Sequence, residues 1–386
     1  MTDNTSEMER QLRILMEVAA GEPRSPVTIG MVRRQVRRRL ITAVAAAAAI
    51  VLAGGTGAAL AARTPGQPAG PAAAGTSGLG GPHNWPLTAE FSPGGRLVVT
   101  ADTDGTARLW DVATRRQAGA PIRVHGKVLD AVFSPDGRTV ALADSDGTVR
   151  LWSVRTRRQE GAAIKVSGVR VYAVAFSPSG RLLATGGIGG RARLWDVATR
   201  RPVGVAMATR STTIQQLAFS PDGRLLVTDL GVQARLWSVA TQHAVGRPIG
   251  GITHDGTEGI GVIRVAFSPD GKLLAAAGAG PDSPGYLGVW SVATQRQVGR
   301  AMSAGGVAAY GVAFTPDGRT LVSTDSSGAI RQWSVATHRQ VRKQIFPGRK
   351  RHPSWSVATL SPSGRVLLAT QFLGPAQFWN LASAKG

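Results

Sequence analysis

The side chains able to do chemistry are sparse in this sequence and lopsided in charge. Among 386 residues there is no cysteine, there are six histidines, and 45 Lys and Arg stand against 23 Asp and Glu, a formal net charge of +22. Thiol nucleophiles, disulfides and cysteine-based metal sites are thereby excluded. The sequence holds no Gly-x-x-x-x-Gly-Lys-Ser/Thr phosphate loop, no His-Glu-x-x-His, no Gly-x-Ser-x-Gly nucleophile turn and no acid-rich calcium loop. What the charge favours is contact with anions. The arginines that carry it recur in step, with Arg115-Arg116, Arg157-Arg158 and Arg200-Arg201 spaced at 42 and 43 residues.

That step belongs to a repeat. Phe133 to Val154 reads FSPDGRTVALADSDGTVRLWSV, which describes three short strands joined by two tight turns. Ser134-Pro135-Asp136-Gly137 supplies the fixed φ of proline and a permissive glycine, and Asp146-Gly147 suits a two-residue hairpin. The strands are apolar with little alternation, so both faces should be covered. Seven copies follow residue 76, marked by Phe91, Phe133, Phe176, Phe219, Phe267, Phe314 and Leu360, and by Trp110, Trp152, Trp195, Trp237, Trp290, Trp333 and Trp379. Phe to Trp is 19 residues in most copies, 18 in the fourth and 23 in the fifth.

With Arg108-Leu109-Trp110-Asp111 and Arg193-Leu194-Trp195-Asp196 closing two of the units, the sequence resembles the WD-repeat β-propeller family. Ser replaces the Asp at 153, 238, 291 and 334. The resemblance implies an all-β fold, a seven-bladed β-propeller of four-stranded antiparallel blades. It also implies an intrablade hydrogen-bond network, for which only the first unit has the fuller set of His83, Thr100, Asp104 and Trp110. Other histidines at the equivalent place are His125 and His352. A Gly-x-x-Ile or Gly-x-x-Met pattern after each of the first five Trp marks, such as Gly119 to Ile122 and Gly204 to Met207, with Ile345 standing alone after the sixth, marks a fourth, outer strand. The seventh copy has none after it, but Leu79 lies 12 residues before Phe91, so residues 76 to 83 are expected to supply it and close the ring.

The residue three before each mark should line the central channel: Thr88, Asp130, Ala173, Gln216, Arg264, Gly311 and Val357. Asp130 and Arg264 suit a salt bridge across the channel, too little for a metal cage or an acid/base pair. No cofactor or metal is expected. The reading that follows is a non-catalytic platform binding a protein or an envelope polymer; the alternative is a propeller hydrolase or lyase with its site at the channel mouth. Insertions at 252 to 260, 280 to 285 and 346 to 353 fall on one face, which makes His254, Asp255, Asp282 and Tyr286 one candidate binding patch and Arg349, Lys350 and Arg351 another. On the opposite face Arg115, Arg116, Arg157, Arg158, Arg200 and Arg201 are expected to contact anionic surfaces such as lipid head groups. Nucleic acid is the weaker fit, because aromatic interleaving for base stacking is missing.

Residues 1 to 39 are polar and end in Arg33, Arg34, Arg37, Arg38 and Arg39, directly before an uncharged run from Leu40 to Ala62. At about 1.5 Å per residue that run spans a hydrocarbon core, and the arginines place its N-terminal end in the cytoplasm. The expected order is a cytoplasmic segment (1–39), a transmembrane helix (40–62), a Pro/Ala/Gly linker (63–75) and an extracytoplasmic propeller (76–386). Ala59-Leu60-Ala61 also has the form of a signal-peptidase site, so the alternative is secretion after cleavage near Ala61. The mass of the mature protein separates the two: an intact N-terminus fits the anchored form, and a species beginning near Ala62 excludes it.

Overall fold

Each repeat begins with a turn that its own side chains lock. Ser134 Oγ accepts from the Thr139 N–H at 3.0 Å and donates to Asp136 Oδ1 at 2.5 Å, and Asp136 Oδ1 accepts from the Arg138 N–H at 3.0 Å. Gly137 closes the turn to Ser134 O at 2.8 Å with φ of 70°, a conformation that suits glycine. Ser220-Asp222 and Ser268-Asp270 repeat the arrangement, and Thr315-Asp317 does so with a threonine.

The computed structural model describes residues 79, 85–166, 170–209, 211–229, 231, 233–250, 260–279, 285–305, 308–325, 327–342, 355–371 and 374–381. Their strands form seven antiparallel sheets, each a meander in chain order, numbered here as blades 1 to 7. In blade 1 the strands run Pro86–Phe91, Leu97–Asp102, Ala107–Asp111 and Arg116–Gln117 from the centre outward. Five blades have four strands and two have three among the described residues. In blade 6 Trp333 bridges Gln340 where an outer strand would start; Ile345 lies outside the described residues.

The expectation of strands covered on both faces holds. Val140 to Asp144 are all buried, as are the matching strands of other blades. The covering comes from the neighbours, because each apolar cluster belongs to two blades. Val99, Leu109 and Ile122 of blade 1 pack with Ala131, Phe133 and Leu142 of blade 2, and the pattern repeats through blades 5 and 6. Blades 6 and 7 share Val322, Ile330, Leu367 and Leu381. Blades 7 and 1 share Leu368, Ala376, Phe91, Val98, Trp110 and the fully buried Leu79.

Leu79 is the closure. It pairs antiparallel with Ala376, donating to its carbonyl at 2.8 Å and accepting from its N–H at 3.0 Å. A residue preceding the first blade therefore sits at the outer edge of the last, where the sequence places it. The turns close the same circle: a Cβ built on Gly95 of blade 1 would stand 3.4 Å from Pro362 of blade 7, as one on Gly137 would stand 3.6 Å from Pro93 of blade 1.

Truncating this plug opens a cavity between the two blades that meet at the join. Leu79→Ala is expected to cost about 2–5 kcal/mol, or roughly 5–10 °C of melting temperature by calorimetry. Val205→Ala, at a residue 63% exposed, is expected to change little.

Candidate functional site

The channel residues are held from blade to blade rather than pointed at a ligand. Asp130 Oδ2 accepts from the Val174 N–H of the next blade at 3.0 Å, and its Oδ1 from Ala131 at 3.0 Å. Gln216 does the same two blades on, accepting from Val265 N–H at 2.8 Å and donating to Val265 O at 2.9 Å. Inner strands have one unpaired edge, and these side chains satisfy it with the neighbour's backbone. Asp130 and Arg264 form no direct ion pair. Arg264 lies within electrostatic reach of both Asp130 and Asp229; burial lowers the pKa of Arg264, and burial raises that of Asp130. Asp229 accepts from the Gln215 and Gln216 N–H groups at 2.9 and 3.0 Å, and desolvation still pushes it up to about 6.

Glu90 joins this group although nothing in the repeat pattern singled it out. It stands one residue before the Phe91 mark, where other units carry Val132, Ala175, Ala218, Ala266, Ala313 or Thr359. Desolvation and the nearby Asp130 push Glu90 up to about 8, against a smaller opposing hydrogen bond with the Phe133 backbone. The signal was available in the sequence: a lone acid in a column of apolar residues.

The pairing of a second set of polar residues also escaped the sequence reading. Asp102, Asp104 and Arg108 recur as Asp144, Asp146 and Arg150, framing the turns between the second and third strands. Arg108 bonds Asp102 at 2.5 Å and Asp104 at 2.6 Å; Arg150 bonds Asp144 at 2.6 Å and Asp146 at 2.8 Å. In blade 6 Arg331 pairs with Asp325. Burial raises the Asp102 and Asp144 carboxyls. Asp104 is partly desolvated too, but bonds from Arg108 and Thr106 hold it below the usual range. Here Asp104 serves Arg108 and Thr106 rather than the network expected around Trp110.

The paired arginines divide into two roles. Arg115, Arg157 and Arg200 adopt φ of 56°, 56° and 61°, with Gln242, Gln295 and His338 at the same turn position of later blades. From there the side chain reaches back over the preceding blade. Arg157 bonds Ala118 O, Arg200 Nη2 bonds Glu160 O at 2.8 Å, Gln295 Oε1 accepts from Arg247 N–H at 2.7 Å, and His338 Nδ1 lies 3.1 Å from Arg300 O. Arg115 crosses the closing join, 5.7 Å from the centre of the Phe378 ring. The outer-strand glycine exists for this contact: a Cβ on Gly246 would overlap Gln295. Arg157 and Arg200 are thus half-buried rather than free surface cations, and desolvation lowers both pKa values. Arg115 stays exposed, as do the second members, Arg116, Arg158 and Arg201.

Tyr286 is a correction. It is 3% exposed in the strand Gly285–Ser291 and packs into the core between blades 4 and 5, because the insertion before it ends at the strand's first residue. His254, Asp255, Asp282, Arg349, Lys350 and Arg351 lie outside the described residues, as do His83, His352 and residues 1–78. His125 is exposed. Among the described residues no group of acids and histidines could hold a metal ion, and no helix is long and apolar enough to cross a membrane.

Residues 79–111, 119–153, 164–196 and 302–334 match the WD domain, G-beta repeat. These four segments, about a third of the chain, are similar to the WD40 repeat. No curated protein matches the chain. The WD40 tryptophan bonds a hydroxyl ten residues earlier in blades 1, 3 and 6, with Trp110 to Thr100 at 3.0 Å, Trp195 to Thr185 at 2.9 Å and Trp333 to Ser323 at 2.9 Å. Blade 4 keeps the bond at a spacing of nine, from Trp237 to Thr228 at 3.0 Å. This half of the network is therefore not confined to the first unit. Blades 4, 5 and 7 fall outside the matched WD40 segments, yet their sheets have the same order.

Glu90 gives the ring a pH signature. Its folded pKa lies above the ordinary 4.5, so its ionisation costs nothing below pH 4.5, and the penalty grows as pH rises to about 8. Glu90→Gln should match the parent in chemical denaturation at pH 4.5 and exceed it by ~2 kcal/mol at pH 8.5, short of full linkage because channel water screens the group.

Proposed function

We propose that the protein is a non-catalytic interaction platform, anchored in the membrane through residues 40–62 with its propeller outside the cytoplasm. The WD40 repeat supports the first part, since propellers of this kind serve as protein-interaction scaffolds. The observation that carries it is the allocation of polar side chains. Asp102, Asp144, Asp325 and their arginines clamp turns, and Asp130 and Gln216 bind blades together, so the acids and amides of the interior hold a rigid frame. What faces solvent is turns and loops fixed on that frame, which is the geometry of a recognition surface.

The support for anchoring is the Arg33 to Arg39 cluster ahead of an uncharged run long enough to span a bilayer; cleavage near Ala61 would release the same ring. The partner is a protein or an envelope polymer, taken by the face that carries the insertions. His254 and Asp255 lead that patch with Asp282, and Arg349, Lys350 and Arg351 form a second. Tyr286 no longer belongs to it.

Capture experiments with the full chain test this reading. Exchanging residues 252–258 for a short Gly-Ser link is expected to abolish recovery of a partner from envelope extracts while the melting temperature holds. Recovery that survives the exchange places the site elsewhere, and turnover of sugars, lactones or peptides that Asp130→Ala abolishes would favour the hydrolase or lyase alternative.

A further inference from the structure

The basic face is not uniform around the ring. Each first turn carries a cation, Arg96, Arg138, Arg181, Arg224, Lys272, Arg319 or Arg365, and all seven are exposed. On blades 2, 4, 5 and 6 that cation is matched within its own turn by Asp136, Asp222, Asp270 and Asp317. The second turns of blades 4, 5 and 6 offer Gln242, Gln295 and His338, with a single arginine on blade 5 (Arg296) and on blade 6 (Arg339). Blades 1 and 3 have Gly94 and Ser179 where the acid would be. All three of blades 1 to 3 add an Arg-Arg pair in the second turn. The opposing acids are few: Asp111 and Asp196 face Arg96 and Arg181 at 3.7 and 3.8 Å, with those arginines 85% and 82% exposed. Asp136 and Glu160 complete the set, the latter bonded to Thr139. A basic sector therefore covers three adjacent blades, and its exposed members are Arg96, Arg116, Arg138, Arg158, Arg181 and Arg201, of which Arg96, Arg138 and Arg181 have an acid beside them.

Three properties narrow what such a sector fits. Its cations sit on turn tips tied to one another through the interlocked Pro-Gly contacts and the turn-to-turn bonds Val112 to Arg96 O, Val154 to Arg138 O and Val197 to Arg181 O. The sector is thus a stiff surface rather than a groove. The large hydrophobics exposed among the described residues are Ile188, Val205, Val298 and Val341, none aromatic, so there is no platform for stacked bases. Finally, the chain enters the ring at Leu79, on the outer edge of blade 7 and in the core shared with blade 1, beside the sector.

We infer that the sector on blades 1 to 3 docks on the anionic head groups of the bilayer in which this same chain is anchored. The inference rests on the anchoring proposed for residues 40–62 and not on the identity of any protein partner. The segment from Arg63 to Gly78 reaches at most about 50 Å at roughly 3.1 Å per residue. A tether of that length keeps the sector at an effective concentration of order millimolar near the surface, so weak attraction per arginine suffices. Docked this way, the ring turns its insertion-bearing face outward. Arg157 and Arg200 contribute charge but stay on their carbonyls.

Because the chain has no cysteine, a single Ala198→Cys in the second turn of blade 3 gives a unique label, and Ala293→Cys on blade 5 gives a control. The full chain is reconstituted into discs of phosphatidylcholine alone or with phosphatidylglycerol, and energy transfer from the label to a head-group acceptor is read. Transfer from position 198 is expected to be high only with phosphatidylglycerol, to exceed that from 293, and to fall as salt rises from about 0.1 to about 0.5 M. Arg116→Gln, Arg158→Gln and Arg201→Gln together should lower the docked-to-free ratio roughly a hundredfold, at about fivefold per arginine. Arg224→Gln, Lys272→Gln and Arg319→Gln remove the same charge and should leave it near the parent value. Equal transfer in the two lipids, indifference to salt or equal effects of the two triple variants would overturn the inference. So would release of the ring from phosphatidylglycerol discs by an equal charge of duplex DNA or polyphosphate, which would assign the sector to a polymer. Failure of the chain to insert would remove the anchor and with it this docking mode, while leaving partner capture by the opposite face untouched.

Discussion

A blade of this protein cannot bury its own apolar surface. Its strands are apolar on both faces, and each cluster of buried side chains is built by two neighbouring sheets, so every blade needs a partner on either side. A row of such units would leave two uncovered ends; a ring leaves none. The constraint therefore falls on a single place, the join between blades 7 and 1, where Leu79 supplies the missing backbone partner for Ala376 and fills the shared core. Arg115 over Phe378 and Pro362 against Gly95 reinforce the same join at different radii.

Holding the ring together consumes most of the side chains that look chemical. The amide and carboxylate of Gln216 and Asp130 meet the unpaired edge of the next inner strand, where an apolar residue would leave N–H groups unsatisfied. The buried Asp-Arg clamps at 102–108 and 144–150 are charge-assisted and nearly bidentate, which fixes the turns that frame one face. On the other face Arg157 and Arg200 become brackets onto the preceding blade's carbonyls, while Arg115 lies over the Phe378 ring. The residues left for recognition are those the frame does not use, and their distribution is uneven because the Asp of the first turn is missing from blades 1, 3 and 7 while the Arg-Arg pairs of the second turn occur in blades 1 to 3.

The channel carries a different consequence of the same economy. Glu90, Asp130, Asp229 and Arg264 are partly desolvated by packing inside the ring, so carboxyls rise and the guanidinium falls in pKa. Asp130 and Asp229 share the field of Arg264, whereas Glu90 has Asp130 for a neighbour and is pushed up to about 8, further than Asp229 at about 6. Acids placed so deep are costly when charged, which ties part of the fold's stability to their protonation.

The sequence by itself determined the repeat, the number of blades, the strand meander and the need for a segment before Phe91 to finish the last blade. Those follow from turn chemistry and apolar runs, which are local and periodic. It also located the cations of one face, because Ser-Pro-x-Gly and Val-Ala-Thr-Arg turns place their following residue outward in every copy. Only the tertiary structure decided what each cation does. Arg157 and Arg158 are neighbours in sequence with the same chemistry, but a φ of 56° turns the first toward Ala118, 39 residues away in the chain, and leaves the second in solvent. Tyr286 beside an insertion reads as surface until the strand register sets it opposite Gly278 and inward. The pairing of Asp130 with Val174 and the burial of Glu90 likewise depend on which edge the next blade presents, a relation between residues more than 40 apart that no single repeat contains.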